Sequence, residues 1–225
     1  MIHYLHHFHL PFNLAALRHQ IKGCDQDEPL EHAWQFIQPK VWWREAAITE
    51  LSVHGLTLGD QQLIIPSAYV AKGLSQCHKA TVLAVTIGEE LPKQVNQWLA
   101  SNQLYQGTIG DMVGSYAVEQ LAEQFCQYLQ QQSLPKGLYS TLRFSPGYGD
   151  WALEEQQSVM AFLDHCQGKI ALTENFLLQP VKSITAIIGW SQQWQNNQYP
   201  QGNHGSGFCN GGHNCAACTT WACRS

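Results

Sequence analysis

The stretch Ala80-Thr-Val-Leu-Ala-Val-Thr-Ile87 is the clearest buried-strand pattern in the sequence and the starting point for its fold class. Its residues are apolar or β-branched almost throughout, and Gly88 ends it. Residues 181–190 form a second β-branched stretch and predict the final strand. Residues 51–58 and 62–65 alternate in the manner of strands on either side of a turn. Several strands are therefore expected, at irregular spacing.

The longest predicted helix covers roughly residues 111–131. Leu121 and Phe125 belong to an apolar stripe that repeats every fourth residue, which is typical of a helix with one buried face. Glu119 and Glu123 lie on the opposite face, where solvated side chains are expected. The helix therefore presents one apolar and one acidic face.

A further helix is expected from Glu28 into the Trp-rich segment Val41-Trp42-Trp43, kinked or divided at Pro39. The predicted strands and helices do not alternate as βαβ repeats. The sequence therefore predicts an α+β fold with a twisted, largely antiparallel sheet flanked by helices.

Composition excludes several classes of function. The chain has 225 residues, of which 44% are hydrophobic, so it is long enough to bury a core. Its net charge of −5 disfavours a nucleic-acid or anionic-membrane surface. No apolar run approaches the roughly 20 residues of a transmembrane helix, and the N-terminus lacks the features of a signal peptide. We expect a cytoplasmic protein with neither a nucleic-acid nor a membrane partner.

One short loop, Arg143-Phe-Ser-Pro-Gly-Tyr-Gly-Asp150, concentrates residues suited to ligand binding. Pro146 fixes its own φ, and the two glycines permit a positive φ or the close approach of a ligand. A guanidinium beside backbone N–H groups suits a carboxylate or another anion. Tyr148 adds an aromatic face that attracts cations. The same pattern also fits a tight surface turn whose arginine is merely solvated.

Two further segments accompany this loop in a definite order. Upstream, Leu121-Ala-Glu123 lies in the predicted long helix. Downstream, Leu172-Thr-Glu-Asn-Phe-Leu-Leu-Gln-Pro180 precedes a strand that contains Ser183. The loop itself reads Arg-x-x-x-Gly-Tyr. In this order and spacing, the three segments resemble the activation (reactivation) domain of cobalamin-dependent methionine synthase.

The resemblance is clear over residues 111–189, looser over residues 1–100, and absent after Trp190. It implies a methionine synthase activation-domain-like fold and a binding site for S-adenosylmethionine. The site residues that it implies are Glu123 of the helix and Arg143, Ser145, Gly147 and Tyr148 of the loop. No residue is expected to act as a general base or nucleophile, because the cofactor carries the chemistry.

The function implied by the resemblance is reactivation of a corrinoid protein. S-adenosylmethionine would supply a methyl group for the reductive methylation of cob(II)alamin. The cobalamin would be held by a partner, either a cobalamin-binding protein or a truncated methionine synthase, and a flavodoxin- or ferredoxin-like protein would donate the electron. The homocysteine, folate and cobalamin modules of methionine synthase have no counterpart in this sequence, so the chain is expected to act in trans.

Three regions are expected: an α+β domain over residues 1–190, a polar, Gly-rich linker over 191–206 and a Cys-rich tail over 207–225. Four tail cysteines in a Cys-x5-Cys-x2-Cys-x4-Cys pattern suit a tetrahedral Zn²⁺ or an iron–sulfur cluster. These are Cys209, Cys215, Cys218 and Cys223. The other interpretation is an unstructured tail. A metal there favours an alternative function, a redox or metal accessory or docking module for a corrinoid protein without a retained S-adenosylmethionine site.

Overall fold

Strands from distant parts of the chain form one antiparallel sheet. The computed structural model describes residues 2–5, 7–21, 24, 26–59 and 63–193. The strands of the main sheet are β1 (His3–Leu5), β2 (Lys40–Leu51), β3 (Leu56–Leu58), β4 (Leu63–Ile65), β5 (Lys79–Thr86), β6 (Tyr139–Ser140) and β9 (Ser183–Ser191). Their order is β4-β3-β2-β5-β9-β6, and β1 pairs with the first half of β2. A separate antiparallel pair is formed by β7 (Ala171–Leu172) and β8 (Leu178–Gln179).

The helices cover both faces of this sheet. They are α1 (Leu14–Gln20), α2 (Glu28–Trp34), α3 (Ala68–Gly73), α4 (Glu90–Ala100), α5 (Leu104–Ser133) and α6 (Gln156–Phe162). Helices α1, α2, α4 and α5 contribute buried residues to one core, and α3 and α6 to the other. The alternation of β5 separates the two cores, because Leu83 and Val85 enter the first while Val82 and Ala84 enter the second.

Small residues of α5 let its neighbours approach the helix backbone. A Cβ added at Gly107 would lie 2.5 Å from the side chain of Leu99, so α4 packs directly on this helix. A Cβ at Gly114 would lie 3.2 Å from the aliphatic part of Lys182. Helix α5 is thereby held close to the start of β9, and this contact positions the polar face of the helix beside the strands.

The predicted fold class is confirmed: an antiparallel sheet flanked by helices. The extension of a helix into the Trp-rich segment is wrong. Helix α2 ends at Trp34, and residues 40–51 form strand β2. Trp42 is buried in one core, and Trp43 packs against the other, as expected where aromatic side chains alternate across a strand. The last described strand ends at Ser191, and the predicted division into domain, linker and tail stays a prediction.

Within the described part of the chain, no helix is both long enough and apolar enough to cross a membrane.

Candidate functional site

The loop after β6 runs along the edge of the sheet and sends its side chains to both faces. Phe144 forms an isolated antiparallel bridge with Ile187 of β9. Its ring belongs to the second core, where it covers Gly73 and meets Tyr69 edge-on. The preceding residue, Arg143, points instead to α5 on the other face. The alternation of an extended segment therefore fixes the direction of the arginine.

The guanidinium of Arg143 contacts two glutamates of α5. Its Nη2 donates a hydrogen bond to Glu119 Oε2 at 3.2 Å and lies 3.9 Å from Glu123 Oε2. The three side chains are only 13% (Arg143), 22% (Glu119) and 13% (Glu123) exposed. The family resemblance implied Glu123 and Arg143 as residues of one site, and the structure brings these two residues together. We call Arg143, Glu119 and Glu123 the ion cluster.

Glu119 is the member of the ion cluster that sequence reasoning missed. It lies one helical turn before Glu123, so both carboxylates project from one side of α5. Burial raises the pKa of Glu119 against the attraction of Arg143, and the like charge of Glu123 adds to the rise. Glu123 accepts a further hydrogen bond from Gln127 Nε2 at 3.0 Å. The spacing of two acids by four residues was the signal available in the sequence.

The rest of the loop is closed by its own backbone. Gly147 has φ +90°, and its N–H donates to the carbonyl of Trp151 at 2.7 Å. The N–H of Tyr148 donates to the carbonyl of Ser145 at 3.3 Å. These two amides therefore donate inside the loop and not to an anion beside the arginine. The ring of Tyr148 is about half exposed, and Ser145 is half buried.

The end of the loop holds the start of α3. The carboxylate of Asp150 accepts hydrogen bonds from Ser67 Oγ and from the backbone N–H groups of Ala68 and Tyr69. Burial alone would raise the pKa of Asp150, but these hydrogen bonds outweigh it and hold the pKa below its usual range. Asp150 is thus a capping residue supplied from 83 positions away in the chain, and it anchors the loop to the second face of the sheet.

A second ion pair joins α5 to the start of β9. Lys182 Nζ lies 2.7 Å from Asp111 Oδ1 and donates to Ser115 Oγ at 2.8 Å. Asp111, Ser115, Glu119 and Glu123 recur every fourth residue and form one polar stripe along α5. We call Lys182, Asp111 and Ser115 the lysine cluster.

Two surface depressions lie elsewhere on the described surface. One is lined by Gln76, His78, Ser191, Gln192 and Gln193. The other is lined by His7, Phe8, His9, Leu10, Trp34, Ile37 and Pro39. Neither lining includes a residue of the ion cluster.

The predicted metal ligands Cys209, Cys215, Cys218 and Cys223 lie outside the described residues, so a zinc or iron–sulfur site there stays a prediction. Among the residues that the structure does describe, no group of three or more His, Cys, Asp or Glu side chains is arranged to hold a metal ion. The described cysteines Cys24, Cys77, Cys126 and Cys166 are all buried.

Comparison with known proteins supports the fold. No protein-family model matches the chain. No curated protein matches it either. Among solved structures, the chain is similar to a crystal structure of the MetH reactivation domain bound to AdoHcy, with a TM-score of 0.55 and 13% sequence identity. The similarity covers 83% of this chain and 72% of that one. The chain therefore has the fold of the MetH reactivation domain, which is the fold that its sequence predicts.

Proposed function

We propose that the chain binds S-adenosylmethionine at the ion cluster and supports the reductive methylation of a corrinoid carried by a partner protein. The observation that carries this proposal is the placement of Arg143 against Glu119 and Glu123, in the fold of a domain that was solved with AdoHcy bound. Both ligands share an amino-acid end, which carries a carboxylate and an ammonium group at neutral pH.

The charges of the ion cluster suit such an amino-acid end. A guanidinium binds a carboxylate through paired hydrogen bonds, and Arg143 is held in place between the loop and α5. Glu123 offers a carboxylate to the ammonium group, while Gln127 fixes one of its oxygens. The ring of Tyr148 is about half exposed, and its face would attract a sulfonium or stack on adenine. Ser145 and Gly147 shape the turn between Arg143 and this ring.

The reaction that this site would serve is a methyl transfer combined with a one-electron reduction. The methyl carbon leaves the sulfonium sulfur, the electron pair of the broken C–S bond stays on sulfur, and the corrinoid held by the partner receives the methyl group. A flavodoxin- or ferredoxin-like donor supplies the electron. The residues of this chain bind and orient the methyl donor, so their contribution is mainly positional.

Isothermal titration calorimetry with S-adenosylhomocysteine tests the binding step. We expect the wild-type full-length chain to bind, and Arg143→Ala to weaken binding roughly 10- to 100-fold, because a charge-assisted hydrogen bond contributes about 1.5–3 kcal/mol. Arg18→Ala is the matched control, since Arg18 pairs with Asp27 on the surface. Equal affinity of Arg143→Ala and wild type would exclude Arg143 from the site.

A further inference from the structure

We propose that Glu119 is a proton-accepting latch: it holds Arg143 while the site is empty and takes up a proton when the carboxylate of the ligand replaces it. This inference rests on the proposed function, because it concerns the same guanidinium. It assigns to Glu119 a positioning role that neither the sequence pattern nor the family resemblance gave it.

The geometry makes Glu119 the competitor of the ligand. Arg143 Nη2 donates its hydrogen bond to Glu119 at 3.2 Å, whereas Glu123 lies at 3.9 Å. A ligand carboxylate that binds this guanidinium bidentately competes with Glu119 for Nη2. Binding therefore separates Glu119 from Arg143, in whole or in part.

The two glutamates differ in the hydrogen-bond donors that they retain once Arg143 binds the ligand. Glu123 keeps its hydrogen bond from Gln127 Nε2. For Glu119, no donor other than Arg143 contacts the carboxylate within the described part of the chain. An ionised carboxylate left in a mostly buried position without a partner is costly, and protonation removes that cost. Glu119 is therefore the acid on which ligand binding acts.

Once Arg143 is shared with a ligand carboxylate, the remaining charge next to Glu119 also favours its protonation. Glu123 on α5 repels its ionised form, and Arg143 from the loop is the cation that opposes this effect. Two turns earlier on α5, Asp111 and Lys182 form an ion pair of their own at 2.7 Å. Burial already raises the pKa of Glu119 in the ligand-free protein, and sharing Arg143 with a second carboxylate raises it further.

Proton linkage provides a direct measurement. Calorimetric titrations of the full-length chain with S-adenosylhomocysteine, repeated at pH 7 in buffers of different ionisation enthalpy, give the number of protons taken up per ligand. We expect a net uptake of up to one proton. Affinity should be highest at low pH and should fall as the pH rises through the pKa of Glu119 in the ligand-free protein, which lies above its ordinary value of 4.5. The total fall in affinity should reach about tenfold for each unit by which ligand binding raises this pKa.

Glu119→Gln should strengthen ligand binding, whereas the loss of an ordinary ligand contact would weaken it. The amide imitates the protonated acid and releases Arg143, so at pH 8 this variant should bind S-adenosylhomocysteine about tenfold more tightly than wild type and without proton uptake. Glu31→Gln, a surface change on α2, is the control and should retain the wild-type proton uptake. Weaker binding by Glu119→Gln at pH 8 would overturn the proposal, because it would make Glu119 a direct ligand contact.

The outcomes separate this inference from the proposed function. Absence of S-adenosylhomocysteine binding in the wild type would overturn both. Binding with no proton uptake would overturn the latch and leave the proposed function intact. If Glu119→Gln does not fold, as judged by its thermal unfolding, the buffer series on the wild-type chain decides the question alone.

Discussion

The ion cluster and the lysine cluster lie on the same stripe of α5, yet their charges are balanced differently. In the lysine cluster one cation faces one acid, and Asp111 is 58% exposed. In the ion cluster one cation faces two acids, and all three side chains are mostly buried. Water can solvate Asp111 if its partner leaves, whereas Glu119 would lose its donor and Glu123 would keep a hydrogen bond from Gln127. A balanced pair with an exposed acid is a structural link, and an unbalanced group of buried side chains is suited to exchanging partners.

The largest loss of stability is expected when Arg143, the cation of the ion cluster, is replaced. Arg143→Met should lower the free energy of unfolding at pH 8 by about 2 kcal/mol, because it leaves two carboxylates of α5 without their cation in a mostly buried place. Chemical denaturation followed by tryptophan fluorescence would measure it. The loss should shrink at pH 5, since Glu119, whose pKa is raised by burial, takes up a proton more readily as pH falls.

A loss of stability in Arg143→Met that is the same at pH 8 and pH 5 would contradict this account of the ion cluster. It would mean that the arginine stabilises the fold through its packing alone and that the two glutamates are not the source of the cost.

The smallest effect is expected at the other end of the stripe. Lys182→Met keeps the aliphatic packing over Gly114 and removes only the charge, so the loss should be about 0.5 kcal/mol. Its affinity for S-adenosylhomocysteine should equal that of the wild type. A loss as large as that of Arg143→Met, measured by the same denaturation experiment, would erase the distinction between the two clusters.

The sequence predicts the central strands because they depend on local patterns, and the family resemblance implied Arg143 and Glu123 as residues of one site. Strand β5 has a continuous apolar run. Arg143 and Glu123 lie in segments that resemble the family's motifs, so a comparison of motifs could find them. Glu119 lies in no such motif. Sequence analysis places it on a solvated helix face, and it becomes a site residue only because a loop from beyond the helix covers that face.

Two other features could not be predicted for the same reason. Trp42 and Trp43 fit a helix or a strand by composition, and the neighbours that bury them on opposite faces come from distant parts of the chain. The role of Asp150 depends on the position of α3, which precedes it by some 80 residues. Long-range contacts decide these features, and a local pattern does not contain them.

The capping of α3 by Asp150 also bears on how the protein folds. Two N–H groups at the start of this helix, those of Ala68 and Tyr69, obtain their acceptor only when the loop has docked. Such a contact closes late, because the chain between its two ends must be ordered first. The hydrogen-exchange rates of these two amide protons therefore report on the docking of the loop that carries Arg143. Helix α3 belongs to the opposite core, so these amides probe the candidate site from the other face of the sheet.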